Sequence, residues 1–167
     1  MEVVPKQTVN PIALNRDEGE ALWFLGELVI IKASAQTTDG RVAVMDALAP
    51  QGPASPLHIH HNEDEWFYVT EGELKFWVGG KVINAPAGSF VYGPRGVPHT
   101  FDVTSPVARF LLAVEPGGFE NFLRALAVPA TARTLPPPTV LPPSLDRIMA
   151  AAAQYGLEII GPPGIPQ

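Results

Sequence analysis

Between residues 21 and 114 the apolar positions come in short β-branched and aromatic runs divided by turn residues, the spacing of a β-sandwich or barrel. The pattern predicts strands over 28–33, 41–48, 65–69, 73–78, 81–85, 89–92, 99–103 and 107–114, and an extended segment around 58–60. The breaks between them carry Gly, Pro or Asp, residues suited to positive φ or a fixed φ, and Gly79-Gly80 is the clearest hairpin signal. After Pro116 the period changes. Phe119, Phe122, Leu123 and Leu126 fall at i, i+3, i+4 and i+7, the stripe of an amphipathic helix. The Pro-rich stretch 132–143 cannot sustain a helix or a ladder and reads as an extended connector. Ser144 then caps a second helix running to about Tyr155, with Leu145, Ile148, Met149 and Ala152 on one side and Gly156 as terminator. The final GPPGIPQ reads as a docked or frayed tail. The expected organisation is a barrel with N-terminal strands over 1–116 and a helical extension over 117–167, all in one domain.

Composition narrows the function more than the fold. The 167 residues suit one domain with a substantial core, and 15 Gly with 19 Pro stay below the level that marks disorder. Eleven basic against 17 acidic residues, a net charge of −6 and no Lys/Arg run argue against nucleic acid as a partner. Neither a signal-type N-terminus nor a membrane-length apolar run is visible, so a cytoplasmic protein is the simple expectation. Cysteine is absent, so any metal must be held by nitrogen and oxygen.

Three of the four histidines belong to one constellation: His58, His60 and His99, with Glu65. On an extended segment residues two apart project from the same face, so His58 and His60 point together, and Pro53 and Pro56 disfavour the helix that would separate them. A hairpin through the polar turn His61-Asn62-Glu63-Asp64 returns Glu65 toward them, and His99 opens a later strand after a rigid Gly93–Pro98 turn. Neutral imidazoles with an ionised carboxylate suit one divalent transition metal (Fe, Ni, Mn, Co, Cu or Zn) better than Ca or Mg. Four such ligands leave two positions of a six-coordinate ion open. Taken alone, H-x-H is weak, since strand histidines are commonly surface or satisfied core groups.

The segments GPASPLHIHHNEDEWFYVTEG from Gly52 and GSFVYGPRGVPHTFDV from Gly88 resemble the two motifs of the cupin superfamily. In the first, Gly52, His58, His60, Glu65 and Gly72 stand at the family spacing; the second keeps Gly88, Pro94, Gly96 and His99, with Val103 in place of the usual asparagine. The resemblance implies a small jelly-roll β-barrel with the metal inside its mouth and, with the segments read above, two C-terminal helices packed outside it. The flanks 22–29, 115–122 and 155–163 are similar to the quercetinase-like, single-domain flavonol dioxygenases. That similarity implies an aromatic substrate bound through a hydroxyl, O2 as co-substrate, release of carbon monoxide, and Glu65 as both ligand and catalytic base.

A planar aromatic calls for an apolar mouth, and Trp23, Phe67, Phe76, Tyr92, Phe101, Phe110, Phe119 and Phe122 are the candidates by phase or position. Aromatics in a small barrel are more often core, which bounds how many touch a ligand. Trp66, Tyr68 and Trp77 fall out of phase with Glu65 or at a hairpin end and fit an outer face and a homodimer. Lys32, Arg41, Lys75, Lys81 and Arg109 are scattered rather than convergent, which weighs against cupin isomerases or decarboxylases of small anions. A non-catalytic metal-containing binder is the remaining class. Arg95 and His61 are read as exposed, and Glu63-Asp64 as a polar turn.

Overall fold

Residues 9–167 are described by a computed structural model. Its strands are β1 (Glu20–Phe24), β2 (Glu27–Ala33), β3 (Ala43–Pro53), β4 (Pro56–His60), β5 (Asp64–Glu71), β6 (Glu73–Val78), β7 (Lys81–Pro86), β8 (Phe90–Gly93), β9 (His99–Glu115), β10 (Val128–Pro129) and β11 (Leu157–Pro163). Its helices are α1 (Ala35–Thr38), α2 (Glu120–Leu126) and α3 (Leu145–Gln154).

Period-two alternation builds the sheet. In β5, Glu65, Phe67 and Val69 are buried while Trp66 and Tyr68 face out; in β2, Val29 and Ile31 join the main core, and Leu28 and Ile30 pack with Ala21 and Trp23 behind it. β9 is the hub. Its first part pairs with β4 and β6, and the stretch beyond Ser105-Pro106 pairs with β5 and with most of β3. The two strands 99–103 and 107–114 expected from the sequence are therefore one long strand that bends around that point. The path β10-β1-β2-β3-β9-β4-β11 does not return on itself, and β7 and β8 each pair with one neighbour, so the jelly roll keeps open edges.

Local chemistry explains the turns. The β6–β7 hairpin closes through Gly79 (φ 53°) and Gly80 (φ 90°), which supply the two positive φ values of a type I′ turn. Gly72 (φ 75°) joins β5 to β6 with no room to spare, because a Cβ there would stand 2.3 Å from the carbonyl oxygen of Val107. Glu120, fully buried at the start of α2, accepts hydrogen bonds from the backbone N–H groups of Ala35 (2.6 Å) and Gly118 (2.7 Å) and so fixes the helix to α1. On the outer side of the β3–β9 ladder, Arg109 forks onto Asp46 at 2.8 and 3.0 Å.

The structure refines three expectations. Of the docked and frayed readings of the tail it takes the docked one as far as Pro163: β11 runs antiparallel to β4, with Ile159 opposite His58, and its prolines are tolerated because β11 ends the sheet path. α3 does start at Ser144, whose Oγ accepts from Arg147 N–H, but it is held by Ile148, Ala151 and Ala152, while Leu145 and Met149 are exposed. β1, β10 and the single turn α1 are elements that the sequence reading did not separate out.

Gly72→Ala combines a left-handed φ with a backbone clash, whereas Gly80→Ala meets no atom within 4 Å and carries only the φ penalty. The first is expected to lose about 3 kcal/mol of folding stability and the second about 1 kcal/mol, read as shifts of the urea midpoint at constant slope. Equal shifts would refute the close-approach argument.

Candidate metal centre

Strand pairing alone brings the four candidate groups together. His58 and His60 stand on one face of β4, His58 pairs directly with His99 of β9, and β5 carries Glu65 between Gly93 of β8 and Val114 of β9. Gly93 leaves room for the site, since a Cβ there would lie 3.5 Å from the His99 ring. One ligand atom from each of His58, His60, Glu65 and His99 lies within 4.8 Å of the others, and all four side chains are buried.

The orientation of the rings is set from behind. His58 Nδ1–H donates to the Pro56 carbonyl at 2.7 Å and His99 Nδ1–H to the Val97 carbonyl at 2.9 Å, while His60 Nδ1 meets Glu63 Oε2 at 3.2 Å. With every Nδ1 engaged, each Nε2 is left as the inward-facing atom. The arrangement is the one that orients imidazole ligands toward a metal. Glu65 Oε2 accepts from His99 Nε2 at 2.7 Å and lies 3.5 Å from His60 Nε2, which is buried without a hydrogen-bond partner among the described residues. A buried nitrogen lone pair beside an ionised carboxylate is a donor set that a divalent cation takes, so the residues fit the metal expected for them.

Electrostatics agree. Burial first, and the neighbouring charge of His99 second, push His58 down to about 3, so its ring is neutral. Burial alone would raise Glu65, but the electrostatic pull of the adjoining His60 ring and the hydrogen bond from His99 outweigh it and hold the carboxyl at about 2. For His99, burial is outweighed by the hydrogen bond and charge of Glu65, and its pKa lies above the ordinary value. The proton shared by His99 and Glu65 occupies the atoms a divalent cation would take, and cation binding releases such a proton.

A cavity opens onto this cluster. It is lined by His58 and Glu65, by Phe101, Phe110, Phe119 and Phe122, and by aliphatic side chains that include Leu123 of α2 and Ile148 of α3, with about 730 Å3 of atom-free space counting its opening to solvent. Among the described residues no Lys or Arg lines it. Phe67 and Phe76 sit behind the lining, edge to face at 4.8 Å, as core. Two aromatic candidates lie elsewhere. Trp23 belongs to the cluster on the far side of β1 and β2, where its Nε1–H donates to the Thr134 carbonyl, because β1 alternates in the opposite sense from the phase assumed. Tyr92 is exposed opposite Trp66, since Val91 and Gly93 are the inward residues of β8.

Other residues fall as follows. His61 is exposed and pairs with Glu158 at 2.7 Å; Arg95 is exposed and its backbone N–H donates to Asp64. Glu63 is different from the polar turn residue expected: it is buried and holds His60. The signal available was its i+3 position from a histidine whose second nitrogen needs a partner. Glu27, a carboxylate in the cavity wall, was also not singled out.

Residues 44–115 match the cupin domain. Quercetin 2,3-dioxygenase of Bacillus subtilis is 29% identical over 153 residues, which cover 91% of this chain and 45% of that protein. Quercetin 2,3-dioxygenase of Aspergillus japonicus is 31% identical over 112 residues, 62% of this chain and 31% of that protein. The chain thus spans less than half the length of these curated relatives. Among solved structures, KdgF from Halomonas sp. superposes with a TM-score of 0.57 at 15% identity, over 67% of this chain and 98% of its own. Pac13, a Streptomyces nucleoside dehydratase, gives 0.55 at 16%, over 67% of this chain and 88% of its own. At such identities the structural likeness speaks for the fold alone. The fold, the motif residues and the domain match over residues 44–115 are those of a cupin domain. Within the cupins it is quercetinase-like in sequence.

With His99 as a ligand, His99→Ala is expected to cut bound metal sharply in the purified protein, measured by elemental analysis; unchanged occupancy would remove His99 from the set. Glu63→Gln, which keeps the turn but weakens the acceptor for His60, is expected to lower metal affinity by roughly 10- to 100-fold in a chelator competition.

Proposed function

We propose that this cupin is a metal-dependent dioxygenase that cleaves a flavonol or a similar aromatic hydroxyl or enol substrate with O2, with His58, His60, Glu65 and His99 holding the metal. The observation that carries the reading is the cavity: an apolar, phenylalanine-lined space with two of the four donor residues in its wall and, among the described residues, no cationic side chain. An apolar wall of this kind suits a planar aromatic, whereas the carboxylate or phosphate of a small anionic substrate would meet no cationic side chain among the described residues of the wall. The sequence relatives named quercetin 2,3-dioxygenase support the same class.

When bound, a divalent transition metal supplies a Lewis-acidic centre that lowers the pKa of a substrate hydroxyl and a redox-capable site for O2. The chain's own groups do the rest. Glu65 makes its hydrogen bonds through Oε2, toward His99, which leaves Oε1 to receive the substrate hydroxyl proton. A carboxyl held at about 2 is a weak base, so acceptance requires the substrate proton to be acidified at the same moment. The stacked pair Phe119 and Phe122, 5.4 Å apart, presents flat apolar surface, and Phe119 also packs edge-on against His60 at 4.7 Å. Those rings orient an aromatic against the cluster and exclude water from it.

No helix among the described residues is long and apolar enough to cross a membrane. The exposed, cross-strand aromatics Trp66, Tyr68, Phe90 and Tyr92 on the outer face of β5 and β8 support a homodimer through that face.

Metal-loaded protein is expected to consume O2 and bleach quercetin, followed with an oxygen electrode and by visible absorbance. Glu65→Gln is expected to lower the rate by about 10^2-fold or more. Metal-replete protein that neither takes up oxygen nor bleaches the flavonol would end the proposal.

A further inference from the structure

Among the described residues, Glu27 is the one residue of the cavity wall, apart from His58 and Glu65, that carries an ionisable side chain. It opens β2 immediately after a two-residue reversal in which Leu25 (φ 48°) and Gly26 (φ 90°) both adopt the left-handed conformation. Leucine is uncommon there, and holding it costs strain. The consequence is a fixed register: Phe24 pairs with Glu27, so Glu27 shares the inward phase of Val29, and a slip of one residue would turn it to the opposite face. The half-buried side chain of Glu27 makes no hydrogen bond or ion pair among the described residues, in contrast to the buried acids Asp46, Glu63, Glu65 and Glu120, each of which has a partner.

Glu27 also stands apart from the metal cluster. It lies on β2, with β3 between it and β9, and it is not among the four groups whose ligand atoms lie within 4.8 Å of one another. The cavity wall thus carries one acid within the histidine cluster and one outside it, among apolar groups.

We propose that Glu27 is a positioning and specificity residue: it hydrogen-bonds an oxygen function of the bound aromatic other than the one offered to His58, His60, Glu65 and His99. Burial supports the role, pushing the Glu27 carboxyl up to about 8, so that at neutral pH it is mainly protonated and offers both an O–H donor and a carbonyl acceptor. A neutral acid is the form that an apolar wall tolerates. The ligand it selects carries a hydroxyl or carbonyl on the part of its skeleton away from the metal-binding oxygen; an unsubstituted aryl end leaves the acid unpaired and is disfavoured.

This inference rests on the aromatic-substrate reading above, and two flavonols separate the two. Quercetin carries hydroxyls on both outer rings; 3-hydroxyflavone keeps the metal-directed 3-hydroxyl and lacks the others. With the metal-loaded full chain, Glu27→Leu is expected to raise KM for quercetin about 10-fold while kcat stays within about threefold, and to change KM for 3-hydroxyflavone by less than about twofold. Glu27→Gln, which retains a donor and an acceptor, is expected to restore most of the quercetin preference. Equal effects of Glu27→Leu on both flavonols, or an effect on neither, would overturn the Glu27 assignment and leave the dioxygenase reading standing. If the metal-loaded wild type turns over neither flavonol, the substrate reading falls and Glu27 falls with it.

Discussion

A buried imidazole can direct only one nitrogen at a ligand if its other nitrogen is already committed, and in this cupin that commitment is made mostly by the backbone. His58 and His99 donate to carbonyls two residues before themselves, at Pro56 and Val97, so the same extended chain that carries each ring also aims it. The pairing of His58 with His99 then sets the distance between the two rings, and β5 brings Glu65 to both. Nothing in this set depends on a flexible loop. The site is as rigid as the ladder beneath it, which is what a ligand set within 4.8 Å requires if four buried polar groups are not to collapse onto one another.

The rest of the molecule supports that ladder. β9 serves β3, β4, β5 and β6, so strain anywhere along it reaches the cluster. Its outer face is fixed by the Arg109–Asp46 fork and its bend by Gly72 and Ser105, whose backbone and hydroxyl interlock, Glu73 N–H donating to Ser105 Oγ at 2.9 Å. Inside, Phe67, Phe76, Phe101 and Phe110 interlock with centroid separations of 4.8 to 6.2 Å, filling the part of the roll below the cavity. α2 and α3 close the remaining side, with Glu120 locating α2 through two backbone N–H groups.

How much of this was visible in the sequence follows from what kind of signal each feature leaves. Alternation is a local property, so β5, β6 and the H-x-H of β4 were legible, and turn glycines announced the hairpin at Gly79-Gly80. The cluster itself was legible as spacing, because motif spacing in a β-protein is a record of strand and turn length. Phase in short strands was less secure: β1 and β8 offer four or five residues each, and Trp23 and Tyr92 were assigned inward although they face away. β11 was hidden by its prolines, which exclude central strands but not an edge. Glu63 and Glu27 were invisible for a deeper reason. An acid beside a turn is nearly always solvated, and only tertiary structure shows that one folds back onto His60 and the other faces a cavity.

The contrast between those two acids bears on what the cavity can hold. Glu63 is compensated: its charge sits against His60, and together they add order without leaving an open demand. Glu27 is not, and an uncompensated carboxyl in an apolar wall lowers stability unless something else favours keeping it. A hydrophobic residue at the same position would complete the lining and relieve that cost, so the chain carries a penalty that folding alone does not explain. Penalties of this kind are offset when a ligand supplies the missing partner, and the same unpaired group then rejects ligands that cannot. An apolar slot gives a planar molecule its affinity but little sense of direction. A second hydrogen-bonding group outside the histidine cluster gives it an orientation, and orientation decides which oxygen of the ligand meets that cluster.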